Sequence, residues 1–173
     1  MGERTILPED PALFEACEEL LGLARDRGLT LGTAESCTGG LVCGCLTAVP
    51  GSSDVVRGGV VSYAVPVKRS LLGVSGEVLD EPSLGAVSRE CAVQMAAGAR
   101  EALGCDVAVS VTGIAGPGGA EPGKPVGTVW MGVSAASGSR ARLFEFPGDR
   151  AEVRRRAVRA ALGLLREAVV EMS

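Results

Sequence analysis

Two apolar runs that break off into glycine-rich turns constrain this 173-residue chain more than any other feature in it. Leu29–Ala34 runs into ESCTGG (35–40). Asp106–Val111 (DVAVSV) runs into TGIAGPGGAEPGKP, with five glycines and three prolines between Gly113 and Pro125. Both runs are flanked by longer stretches with apolar residues at helical spacing, so the chain reads as strands alternating with helices. Leu13, Cys17, Leu20, Leu21 and Ala24 mark a helix over Asp10–Arg27, with Gly28 as its stop. Further helices are expected over Thr38–Thr47, Val67–Leu72, Ser83–Leu103 and Asp149–Val170. Further strands are expected over Gly59–Val65, Val126–Ala135 and Arg140–Phe146, the last two joined as a hairpin by a Ser-Gly turn. The expected fold class is α/β, a three-layer α/β/α sandwich with a mixed, mostly parallel sheet of about five strands. Aromatic residues are only 3% of the chain, so Val, Leu, Ala and Ile must build the core. No repeat or linker interrupts the pattern, and residues 1–173 are expected to form one domain.

Several classes of chemistry are excluded. The chain has no histidine, which rules out a Ser-His-Asp triad, a Cys-His dyad and His-ligated metals. Its six cysteines contain no CxxC, so no metal site is expected and they read as small buried hydrophobes. A formal net charge of −4 gives no reason to expect nucleic acid as a partner. No apolar run reaches the ~18 residues that span a bilayer. The opening MGERTILPED is charged and lacks an apolar leader core, so a cytoplasmic protein with no membrane partner is expected. A homo-oligomer is also expected.

In open α/β sheets ligands bind beyond the carboxyl ends of the strands, where ESCTGG and TGIAGPGG are expected to lie side by side. Ser36 has two readings. It is placed to cap the helix that follows. It is equally placed as a nucleophile, with backbone N–H groups of the next residues aimed at an oxyanion and Gly39 and Gly40 admitting a ligand close to the backbone. Cys37 is the rival nucleophile, and the strand-turn pattern points it toward the core. A serine without histidine needs another base, and SYAVPVK (62–68) offers Tyr63 and Lys68. Either could be the immediate base. Glu35, Thr38, Gly39 and Gly40 are expected at the substrate. TGIAGPGG is neither a Walker A loop nor GxGxxG, yet its glycines free N–H groups for a phosphate or carboxylate. Arg150, opening the last helix, is the arginine aimed at an anion. Of Arg154, Arg155, Arg156 and Arg159, most read as a solvated face.

Together, AESCTGG (34–40), VPGSS (49–53), GGVVSYAVPVK (58–68), LLGV (71–74), GAVS (85–88), TGIAGPGG (112–119), KPVGTVW (124–130) and GDR (148–150) resemble the CinA C-terminal domain family. Characterised members of that family are nicotinamide-nucleotide amidohydrolases. The resemblance implies the three-layer fold and hydrolysis of nicotinamide mononucleotide to nicotinate mononucleotide and ammonia. It maps the family serine onto Ser36, its tyrosine and lysine onto Tyr63 and Lys68, its glycine-loop residues onto Thr112, Gly113 and Gly116, and its arginine onto Arg150. It implies a small-molecule nucleotide as the partner and no metal or organic cofactor. The chain departs from many members by carrying Pro66 where they have an acidic residue. The rival readings are a non-catalytic nucleotide-binding module of the same fold and a Ser-Lys amidase or esterase for another small substrate.

Overall fold

A computed structural model describes residues 10–172; the charged segment 1–9, which bears on the leader expectation, lies outside them. The elements run α1 (Pro11–Asp26), β1 (Leu31–Glu35), α2 (Leu41–Thr47), a 3₁₀ turn (Ser52–Asp54), β2 (Val56–Val61), α3 (Val65–Leu72), α4 (Gly76–Leu79), α5 (Arg89–Leu103), β3 (Val107–Gly113), β4 (Thr128–Ala135), β5 (Gly138–Glu145) and α6 (Arg150–Glu171). The five strands form one mixed sheet in the order β2-β1-β3-β4-β5. β1 pairs in parallel with both β2 and β3, and β3-β4 and β4-β5 are antiparallel. Four strands therefore point one way and β4 opposes them. The fold is the expected α/β sandwich.

Burial explains which runs became strands. β1 and β3 are central and covered on both faces, so nearly every residue in them is buried. That is why they read as continuous apolar runs rather than alternating ones. β2 and β5 are the sheet edges, and their side chains are largely exposed or only partly buried. On one face α1, α2 and α6 pack a large Leu/Val/Ala core that includes Leu13, Leu20, Leu46, Val109, Met131 and Leu165. On the other face α3 and α5 enclose a smaller one around Leu72, Met95, Ala99 and Ala108.

Several boundaries differ from the sequence expectation. β2 starts earlier and ends at Val61, leaving Ser62 and Tyr63 in a connection. Val65 already belongs to α3, with Pro66 in its first turn, where a missing N–H costs nothing. α5 starts at Arg89 rather than Ser83 because the Ser88 hydroxyl caps it, accepting from the Cys91 N–H at 3.1 Å.

α3 and α5 approach so closely that only glycine fits at 98. A Cβ there would lie 2.0 Å from the Leu72 carbonyl oxygen, backbone that cannot step aside cheaply. Gly98→Ala is therefore expected to cost about 2 kcal/mol of stability, read as a lower denaturant midpoint. An unchanged midpoint would mean that the helices slide freely. The contact matters beyond stability, because α3 carries Lys68.

Candidate active site

The chain leaves β1 for its neighbour on one side, β2, by way of α2. It returns to the other neighbour, β3, by way of α3, α4 and α5 on the opposite face. The carboxyl ends of β1 and β3 are thus a topological switch point, where departing connections leave a crevice. The turn after β1 is tied to β3 at once, the Ser36 N–H donating to the Val111 carbonyl at 2.9 Å. The ESCTGG turn then closes through the Gly39 N–H to the Ser36 carbonyl at 3.0 Å.

Ser36 does not cap α2. The turn passes through Gly39 and Gly40 at φ 64° and 94°, left-handed backbone that favours glycine, and the helix begins only at Leu41. Glu35 takes the capping role. Its buried carboxyl oxygens accept from the N–H groups of Gly40 (3.0 Å), Val42 (3.0 Å) and Cys43 (2.8 Å) and from the Thr33 hydroxyl (3.2 Å). Leaving such buried donors unpaired would cost roughly 1–3 kcal/mol each. Glu35, expected at the substrate, is thus committed to holding the turn from beneath. Thr38 is fully buried, with a hydroxyl that has no hydrogen-bond partner among the described residues. The N–H groups of Cys37 and Thr38 donate to no oxygen among the described residues.

With the cap provided elsewhere, the Ser36 hydroxyl meets Lys68. The Lys68 Nζ lies 2.9 Å from Ser36 Oγ, and it also donates to the carbonyls of Ser62 at 2.5 Å and Tyr63 at 3.4 Å. Lys68 is 1% exposed. Desolvation pulls its pKa below the ordinary lysine value, while the nearby Cys91 and Cys37 thiols act the other way. Burial pushes both thiols up to about 11, so near neutrality they carry no charge to hold the lysine protonated. A neutral amine has two N–H donors and one lone pair. In the neutral form two donors go to the carbonyls and the lone pair is left for the Ser36 hydroxyl; in the protonated form Nζ donates to Ser36 Oγ. The same burial disfavours the Cys37 thiolate, the form in which it would rival Ser36.

The Tyr63 side chain turns away from this pair and is 63% exposed. Its hydroxyl lies 3.4 Å from Arg150 Nη2, and Arg150 Nη1 donates to the Gly116 carbonyl at 3.0 Å. An unbroken line of contacts therefore joins Ser36, Lys68, Tyr63, Arg150 and the glycine-rich loop. In that loop Gly113 and Gly116 are packing positions. A Cβ would come within 2.6 Å of the Thr128 carbonyl oxygen at the first and of a Val126 methyl at the second. The buried Thr112 hydroxyl donates to the Ala86 carbonyl at 2.6 Å, which anchors the base of the loop.

The arginine run on α6 is sorted by partner. Arg155 and Arg156 pair with Glu152, and Arg159 with Asp10. Arg154 instead reaches inward, and its Nη2 donates to the Thr38 carbonyl at 3.1 Å. Reading most of the run as a solvated face did not single it out. The signal that would have found it is its spacing of four residues from Arg150, one helical turn along the same face. Ser62 was missed too; its buried hydroxyl has no partner among the described residues.

The profile of the CinA C-terminal domain family matches residues 14–169. The chain is 47% identical over 167 residues to a CinA-like protein of Mycolicibacterium gilvum, covering 96% of this chain and 38% of that protein. It is 51% identical over 132 residues to one of Geotalea uraniireducens, covering 76% and 31%. The chain thus spans about a third of the length of the curated relatives it matches. Among solved structures, a competence damage-inducible protein A of Klebsiella pneumoniae superposes with a TM-score of 0.88 at 36% identity, covering 93% of this chain and 99% of that one. A competence/damage inducible protein of Agrobacterium tumefaciens gives 0.85 at 43% identity, covering 91% and 94%.

Proposed function

The chain belongs to the CinA C-terminal domain family, and we propose that it is an amidohydrolase converting nicotinamide mononucleotide and water to nicotinate mononucleotide and ammonia. The observation that carries the proposal is the 2.9 Å contact between Ser36 Oγ and a buried, otherwise carbonyl-bound Lys68 Nζ. In this scheme Lys68 takes the Ser36 proton as Oγ bonds to the carboxamide carbon. The oxyanion would be met by the free N–H groups of Cys37 and Thr38. Lys68 then returns the proton to the amide nitrogen, the C–N bond breaks and ammonia leaves. Water attacks the acyl-enzyme, its proton passes through Lys68 to Ser36 Oγ, and the acid is released. Tyr63 would not be the immediate base, since its ring faces Arg150. Tyr63, Arg150 and the glycine-rich loop would instead bind the nucleotide's phosphate end.

Ammonia release from the mononucleotide, compared with release from free nicotinamide, tests this reading. Charge-assisted bonds to the phosphate are worth about 1.5–3 kcal/mol each, so the mononucleotide should be favoured by roughly 100-fold in kcat/KM. Equal turnover of free nicotinamide would remove the phosphate role. Release from neither would leave the pocket as a binding module.

A further inference from the structure

We infer that Arg154 is a positioning residue for the same reaction, holding the turn after Ser36 in the shape that leaves its N–H groups free; this rests on Ser36 being the nucleophile. Arg150 and Arg154 sit one helical turn apart on α6 and reach opposite walls of the crevice. Arg150 bonds the Gly116 carbonyl and Arg154 the Thr38 carbonyl, 116 residues away in sequence. Thr38 and Gly39 share one peptide unit. Its carbonyl meets Arg154, and its N–H closes the turn onto the Ser36 carbonyl.

That peptide is followed by Gly39 and Gly40, so the backbone itself resists a flip only weakly. A flip would break the turn and redirect the N–H groups beside Ser36. Within the turn the Thr38 carbonyl accepts only a long 3.3 Å bond from the Leu41 N–H, and from outside it the Arg154 guanidinium meets the same carbonyl at 3.1 Å. Its Nη2 would lie 3.5 Å from any Cβ added at Gly39, so the group lies directly against the glycine. Its Nε is buried with no partner among the described residues, which sets it apart from the surface-paired Arg155 and Arg156.

The test is the rate at which a fluorophosphonate labels Ser36, followed by intact mass, in the wild type, R154M and R154K. In that reaction Oγ bonds to phosphorus, fluoride leaves and the proton passes to Lys68, so the rate reports the nucleophile and its oxyanion donors without substrate recognition. R154M should label roughly 10- to 100-fold more slowly than the wild type. Its kcat on nicotinamide mononucleotide should fall by a similar factor, with KM changed less than about twofold. R154K should recover part of the rate at an unchanged thermal midpoint. Wild-type labelling rates in both variants, or a raised KM with labelling unchanged, would overturn the inference and make Arg154 a ligand contact or a bystander. If the wild type labels but releases no ammonia from the mononucleotide, the substrate assignment falls and slow labelling of R154M still supports the inference. A wild type that resists the label overturns both.

Discussion

Replacing Ser36 by alanine is expected to lower ammonia release from nicotinamide mononucleotide by about 10⁴-fold or more, while the fold is kept. The chemistry loses the only hydroxyl within hydrogen-bond distance of Lys68 Nζ among the described residues. The fold loses almost nothing, because Ser36 is partly exposed and its side chain makes no capping bond; Glu35 holds the start of α2. Cys37 offers no substitute, since burial pushes its thiol up to about 11. Circular dichroism and a thermal midpoint matching the wild type would show that the lost rate is chemical. A variant that still turns over near the wild-type rate would move the nucleophile elsewhere.

Lys68→Met is expected to lower kcat by roughly 10²–10⁴-fold, the usual contribution of a positioned general base. Its effect on stability should depend on pH with a definite sign. Burial lowers the folded-state pKa of Lys68. Between that value and the ordinary lysine value of about 10.4, the unfolded chain holds a proton that the folded protein lacks. Stability therefore rises with pH across that window and carries the whole desolvation cost below it. The methionine variant lacks this slope, so the wild type should gain on it as pH rises from 7 toward 10. Denaturant midpoints of both proteins at the two pH values read the effect directly. Parallel changes would mean that Lys68 is not held neutral. For the same reason kcat/KM of the wild type should climb with pH through the folded-state pKa of Lys68, and the climb should vanish in the variant.

Only half of the Ser36–Lys68 pairing could be read along the chain. The missing histidine leaves a lysine, a tyrosine or a carboxylate as the base, and the pattern of strand, turn and helix puts ESCTGG at a sheet end. Whether Ser36 caps α2 or faces a lysine depended on where Glu35 turns its oxygens, which the sequence around it does not record. Tyr63 and Lys68 sit five residues apart and looked like partners. Their side chains diverge because α3 starts at Val65 within that interval, and the amine is buried while the phenol stays at the rim. The arginine run shows the same limit. Arg150 stood out by opening the helix, but Arg154 could not be told from Arg155, Arg156 and Arg159 until a loop 116 residues away supplied its carbonyl.

Local chemistry determined what the sequence alone settles. Apolar spacing marked the strands and helices, glycines marked the two turns, and the absence of histidine narrowed the catalytic options, all through interactions a few residues in range. Tertiary structure decided the electrostatics. The pKa of Lys68 is lowered because the amine is taken out of water beside Ser36, 32 residues away. Desolvation belongs to a packed position in the folded chain and to no stretch of sequence.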